Sequence, residues 1–73
     1  MELEKALLAF AAAFAIGLTA IATAWVQSKV GSAGAGALAE KPELAATIII
    51  LIAIPETMVI LGFVVAAMIL FGV

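Results

Sequence analysis

The chain has 73 residues, of which 68% are hydrophobic and 11% are charged, and its formal net charge is −2. Soluble domains are about half apolar and about a quarter charged, so this chain has too few charges to cover a water-exposed surface, and lipid must surround much of it. The lack of histidine and cysteine excludes a zinc site and Cys/His nucleophile chemistry, and the lack of a basic patch argues against nucleic acid as a partner.

Two apolar segments are long enough to cross a bilayer, which takes about 20 mostly apolar residues. No residue between Lys5 and Lys29 is charged, and Glu56 is the only charged residue from Leu44 onwards. The first segment follows the acidic start MELEK, which is unlike the basic start of a secretory signal. We therefore expect the first segment to be a retained helix rather than a cleaved leader.

The predicted fold class is all-α. We predict helix 1 from about residue 3 to 38, a loop over about 39–43, and helix 2 from about 43 to 72. Because a segment in lipid must satisfy its backbone hydrogen bonds internally, two such helices form a transmembrane two-helix hairpin. The whole chain, 1–73, is one such unit.

Helix 1 carries two stripes of residues at steps of three or four. The first, named the small stripe, consists of Ala13, Gly17, Ala20, Ala24, Ser28, Gly31 and Ala35. The second, named the bulky stripe, consists of Leu7, Phe10, Phe14, Leu18, Ile21 and Trp25. Small residues let membrane helices approach closely, so a long small stripe predicts that many copies pack side by side. The alternative is that the small stripe packs only against helix 2 of the same chain.

The loop lies in the only charge cluster in the middle of the chain, AEKPEL. Pro42 disfavours helix at the residue before it and suits the first turn of a new helix. This loop carries Lys41 and its flank carries Lys29, whereas the N-terminal tail has one lysine against two glutamates. The positive-inside rule then places the loop in the cytoplasm and both termini outside the cell membrane.

Glu56 stands inside an otherwise apolar helix, in the segment LIAIPETMVIL. An ionised carboxylate at mid-bilayer is costly, which makes an intramembrane acid a functional candidate. Pro55 removes one N–H and frees the carbonyl of Leu51 next to the acid, and Thr57 adds a hydroxyl. The alternative is a neutral carboxyl that is merely hydrogen-bonded to a neighbouring helix.

Gln27 is the expected partner of Glu56. It lies fifteen residues before Pro42, and Glu56 lies fourteen residues after it, so an antiparallel pair places the two side chains at nearly the same depth. A carboxyl, an amide oxygen, a hydroxyl and a carbonyl suit a hydrogen-bonded proton and also suit Na⁺. Lys29 is expected to snorkel towards an interface or meet lipid phosphate, with an ion pair to Glu56 as the alternative.

The segments WVQSKVGSAGAGALAEKPEL and IPETMVILG, together with the hairpin length, resemble the membrane-ring proteolipid of A/V-type rotary ATPases and ATP synthases. The resemblance implies a homo-oligomeric ring that is not catalytic on its own and needs no cofactor besides the transported H⁺ or Na⁺. It implies that Glu56 carries the ion, and that Gln27, Thr57 and the backbone carbonyl of Ile54 complete the site.

The resemblance also implies partners. The cytoplasmic loop would meet central-stalk proteins through residues at the turn, namely Glu40, Lys41, Pro42 and Glu43. A stator protein of the same machine would supply an arginine that releases the ion from Glu56. Membrane lipids would surround the ring.

The sequence departs from the family pattern at several positions. Alanines stand where relatives often have glycines, at Ala20, Ala22 and Ala24. Met58 and Leu61 are apolar where many relatives have a polar residue and a tyrosine, which favours H⁺ over Na⁺. Alternative functions are a small oligomeric membrane pore, a component of a small transporter or a purely structural proteolipid.

Overall fold

The computed structural model describes residues 2–72 and shows two antiparallel α-helices joined by a tight turn. Helix α1 is Glu2–Glu40, a short 3₁₀ turn follows at Pro42–Leu44, and helix α2 is Ala45–Phe71. The hairpin measures 58 × 18 × 8 Å. Both helices are long and apolar enough to cross a membrane. The all-α hairpin expected from the sequence is therefore the observed fold.

The turn is shorter than the loop expected over about 39–43. Ala39 and Glu40 continue helix α1, and Lys41 alone separates it from the 3₁₀ turn. Lys41 is extended, with φ −135° and ψ 85°, because the proline that follows excludes the helical conformation there. Its N–H still donates to the carbonyl of Ala37 at 2.8 Å. Alanine and glutamate are good helix formers, so the helix ends only where Pro42 forces it to end.

Helix α2 runs through Pro55 without interruption and ends at a glycine. Gly72 has the left-handed conformation, with φ 73°, and its N–H donates to the carbonyl of Met68. A residue with a side chain adopts this conformation less readily, which is why glycine is common just after the last helical residue. The observed end agrees with the end at about residue 72 that the sequence predicts.

Small residues form the contact between the two helices. Ala12, Thr23 and Gly34 are the buried residues of α1, and Pro55, Gly62 and Ala66 are those of α2. A Cβ built at Gly62 would collide with the side chain of Thr19, and one at Gly34 would lie 2.6 Å from Cγ2 of Ile48. The helices therefore approach closely where glycine removes the side chain.

Large apolar side chains lie on the outside of the hairpin. Phe10, Leu18 and Trp25 of the bulky stripe are 69%, 56% and 67% exposed, and within residues 2–72 no large side chain is fully buried. The exposure of such an apolar surface to water is unfavourable, and the surface suits contact with lipid or with other membrane helices.

The small stripe does not pack against α2 of the same chain. Ala13, Ala20, Ala24, Ser28 and Ala35 are exposed. A Cβ built at either of its glycines, Gly17 or Gly31, would meet nothing within 4 Å. The alternative that this stripe serves only the contact within one hairpin is therefore wrong. The stripe is free to contact another copy.

Candidate functional site

Gln27 and Glu56 meet across the hairpin. The amide Nε2 of Gln27 donates a hydrogen bond to Oε2 of Glu56 at 2.7 Å. Glu56 lies near the middle of α2, where the antiparallel helices bring it level with Gln27. The structure thus brings together the only amide of the chain and the only carboxyl in either apolar segment.

Gln27 makes a second contact with α2. The same Nε2 donates to the backbone carbonyl of Ile52 at 3.2 Å. A backbone carbonyl only accepts, so this contact fixes which end of the amide faces α2. Both amide hydrogens are used, and the amide oxygen remains an acceptor. The side chain therefore clamps Glu56 and the helical turn that precedes it.

The carbonyl that Gln27 reaches differs from the one that Pro55 frees. Pro55 leaves the carbonyl of Leu51 without its usual helical donor. Leu51, however, is 45% exposed, whereas Ile52 is half-buried and faces α1. The rotation of α2 turns Ile52, rather than Leu51, towards the amide of Gln27.

Thr23 forms a third contact between the helices at this level. Its hydroxyl donates to the backbone carbonyl of Pro55 at 3.0 Å, and the residue is only 3% exposed. Thr23 is absent from the site residues that the sequence predicts. The available signal was its position four residues before Gln27, on the same helix face.

Thr57 and Ile54 lie together on the outer side of α2. The Thr57 hydroxyl donates to the carbonyl of Ile54 at 2.7 Å, and both residues are exposed. A threonine that bonds back to its own helix is common. Within one hairpin, the expected ligand set is therefore divided: Gln27 bonds to the exposed Glu56 across the two helices, whereas Thr57 bonds to Ile54 within α2.

The remaining candidate residues lie at the turn and on the far side of α1. Glu40, Lys41, Pro42 and Glu43 are all exposed at the turn. Lys29 is exposed and borders a shallow depression with Trp25 and Ser28, away from the face of α1 that carries Gln27.

A membrane hairpin with a hydrogen-bonded carboxyl near the middle of its second helix is the arrangement of a small membrane proteolipid with one acid at membrane depth. The chain belongs to the ATP synthase C-subunit family, whose model matches residues 10–69. No curated protein and no solved structure matches the chain.

Membership confirms the general part of the resemblance noted in the sequence. The chain is a membrane-embedded, ion-translocating component of the ATP synthase c-ring, and it is not an enzyme on its own. The alternatives of a pore, a transporter component or a purely structural proteolipid gain no support from the match.

Proposed function

We propose that the chain forms the rotor ring of an A/V-type ATP synthase or ATPase and that it carries H⁺ on Glu56. The observation that carries this proposal is the 2.7 Å hydrogen bond between Gln27 and Glu56 across the hairpin. A family of ion-translocating ring proteins needs one site at membrane depth, and this carboxyl is the only acid within the two apolar segments.

The physical mechanism follows from the cost of a charge in lipid. A protonated Glu56 can face the hydrocarbon, whereas an ionised one is strongly disfavoured there. The ring therefore turns through lipid only with its sites loaded. Each site unloads where water and the arginine of a stator protein stabilise the carboxylate. One charge that crosses a potential of 100 mV releases about 2.3 kcal/mol. Several such charges must add up to make one ATP, so a ring with many copies of the site is needed.

The choice of H⁺ over Na⁺ rests on how the oxygen atoms are used. The Ile54 carbonyl accepts the Thr57 hydroxyl, and Gln27 turns its nitrogen, not its oxygen, towards Glu56. Met58 and Leu61 add no oxygen ligand. A Na⁺ site would instead use Glu56, Gln27, Thr57 and the Ile54 carbonyl, and a labelling experiment distinguishes the two ions.

The A/V branch and the orientation are supported by local sequence. The segment Ile54-Pro55-Glu56-Thr57 resembles the carboxylate segment of A/V-type proteolipids. The exposed turn carries Lys41, and Lys29 lies on its flank, against the single lysine of the N-terminal tail, which is the excess of basic residues expected of a cytoplasmic loop that contacts the central stalk.

The test is labelling of the purified ring with dicyclohexylcarbodiimide, an apolar reagent for protonated carboxyls, followed by peptide mass spectrometry. We expect labelling at Glu56 that decreases as pH rises and does not change with millimolar Na⁺. Glu43 at the turn is the internal control, because its exposed carboxyl lies outside the apolar segments.

Two results would change the proposal. Labelling of Glu56 that millimolar Na⁺ slows would replace H⁺ with Na⁺ as the carried ion. A ring in which Glu56 is never labelled, while a soluble carbodiimide still labels Glu43, would contradict the role of Glu56 as ion carrier.

A further inference from the structure

We propose that Thr23 is a positioning residue for Glu56. Its hydroxyl holds the peptide unit that joins Pro55 to Glu56, and thereby sets how the carboxyl meets Gln27. This inference rests on the proposed function, since it assigns a further residue to the ion site.

The Thr23 hydroxyl differs from other hydroxyl groups of the chain in the acceptor of its hydrogen bond. Thr19, Ser28, Ser32 and Thr57 each donate to a carbonyl three or four residues earlier in their own helix. That local bond is the usual arrangement for a hydroxyl in a helix. Thr23 instead donates to the other helix. Packing alone does not explain this choice, because valine would fill nearly the same space.

The acceptor of the Thr23 hydroxyl lies directly beside Glu56 in the chain. The Pro55 carbonyl belongs to the peptide group whose nitrogen is that of Glu56. Pro55 has no N–H, so this turn of α2 lacks one of the bonds that hold an ordinary helix. Two bonds from α1 compensate: Thr23 to the Pro55 carbonyl at 3.0 Å, and Gln27 to the Ile52 carbonyl at 3.2 Å. Helix α1 thus holds the turn that Pro55 weakens.

The turn at Pro55 sets the position of the Glu56 carboxyl. Glu56 follows directly after the peptide group that Thr23 holds, so a tilt of this group moves the Cβ of Glu56 relative to Gln27. The bond between Gln27 and Glu56 is short, at 2.7 Å, and an accurate placement of both side chains is required for it. Without the Thr23 hydroxyl, we expect the hydrogen bond between Gln27 and Glu56 to lengthen and the Glu56 carboxyl to become more mobile.

The test compares Thr23→Val with Thr23→Ser and Thr19→Val in the purified ring. Thr23→Val removes the hydroxyl at nearly constant volume, whereas Thr23→Ser keeps it. Thr19→Val is the matched control, because Thr19 lies one turn away on the same face and donates only within α1. We expect Thr23→Val to label with carbodiimide about two- to tenfold faster, as befits one loosened hydrogen bond. Thr23→Ser and Thr19→Val should label like the unmodified ring.

A double-mutant cycle separates positioning from general destabilisation. If Thr23 acts through the contact between Gln27 and Glu56, Thr23→Val should change the labelling rate little once Gln27→Leu has removed that contact. Equal effects of Thr23→Val with and without Gln27 would overturn the inference. So would a Thr23→Val ring that labels at the unmodified rate.

Infrared spectroscopy provides a second readout that does not depend on labelling. The carboxyl C=O band of Glu56, assigned by its loss in Glu56→Gln, should move to higher frequency in Thr23→Val and return in Thr23→Ser. An unmoved band would overturn the inference. If the unmodified ring fails to label at Glu56, the proposed function fails, while this band still decides whether Thr23 positions the carboxyl.

Discussion

Gln27 holds Glu56 with an amide nitrogen, and this determines what a substitution of Glu56 can reveal. The Oε2 atom of Glu56 acts as an acceptor in that bond. A glutamine at position 56 keeps an acceptor oxygen of the same size and reach, but it cannot take up or release a proton. A single substitution, Glu56→Gln, can therefore separate the structural role of Glu56 from its proposed role in transport.

We predict that Glu56→Gln leaves the ring assembled and reduces ion transport to background. The amide preserves the contact with Gln27, while the exchangeable proton is lost. The measurement is ATP-driven ion pumping by the complete rotary complex in vesicles, beside native mass spectrometry of the ring. Glu4→Gln, in the N-terminal tail and away from the turn, is the control and should keep most of the pumping. Substantial pumping by Glu56→Gln would contradict the proposed carrier.

At the scale of single residues, the sequence predicts how far along the helix axis a side chain lies, but not how the helix is rotated about that axis. Gln27 and Glu56 could be paired by counting from Pro42, because each helical residue advances about 1.5 Å. Which carbonyl faces α1 depends on how far α2 is turned about its axis. The bond from Gln27 to the Ile52 carbonyl and the bond from Thr23 to the Pro55 carbonyl follow from that rotation and from side-chain packing, which a count of residues does not contain.

The two helices are held together by close contacts at glycine. Gly62 lies against Thr19, whose hydroxyl is fixed by bonds to Ala15 and Ile16, so this neighbour cannot easily move. Gly34 lies against Ile48, where an added Cβ would lie 2.6 Å from Cγ2, a less severe overlap than the one at Gly62. At Gly17 there is open space within the hairpin. The cost of an added methyl group should follow this order.

We predict that Gly62→Ala destabilises the hairpin by about 1–3 kcal/mol, the usual cost of overpacking. Gly34→Ala should cost less. Thr19→Ala, introduced together with Gly62→Ala, should restore part of the loss, since it removes the colliding atoms. The measurement is thermal or denaturant-induced dissociation of the purified ring. A Gly62→Ala ring as stable as the unmodified ring would show that the helices do not approach as described.

The helix ends show the same division between what the sequence predicts and what it leaves open. Pro42 predicts the position of the turn, and the end of α2 is predicted at about residue 72. The loop over about 39–43 was too long, because charged residues suggested a water-exposed loop when they can equally extend a helix. Charge at Glu40 indicates exposure to water but does not end a helix.

The hairpin as a whole presents small residues on two sides of α1. The small stripe, which includes Ala20 and Ala24, lies on one flank of the contact with α2. At 100° per residue, Ala11 and Ala22 fall on the opposite flank. A protomer with two different sides suits the head-to-tail contacts that close into a ring. This agrees with the c-ring of the family.

We predict that Ala20→Leu weakens ring assembly, because the larger side chain enters the contact between neighbouring copies. The measurement is the yield and size of the ring by native mass spectrometry in mild detergent. Ile21→Phe adds bulk in the middle of the bulky stripe, between the two flanks, and should leave assembly nearly unchanged. Intact rings from Ala20→Leu at normal yield and heat stability would show that the small stripe does not contact a neighbouring copy.

The hairpin is also longer than the hydrocarbon it crosses. It extends 58 Å, whereas the core of a bilayer is about 30 Å thick, so its ends reach beyond the lipid tails. Glu40 and Lys41 lie at one such end. This length lets the turn extend beyond the lipid tails while Glu56 remains at membrane depth, as the proposed contact with a stalk requires.

The bond between Gln27 and Glu56 bears on how the protein enters the membrane during synthesis. Helix α1 leaves the ribosome first, so Gln27 and Thr23 are in place before α2 is complete. A lone acidic side chain in an inserting helix costs on the order of 3 kcal/mol. When α2 arrives beside α1, Gln27 already offers a donor to Glu56. Insertion of the second helix and closure of the hairpin thus become one event, in which the first helix assists the second.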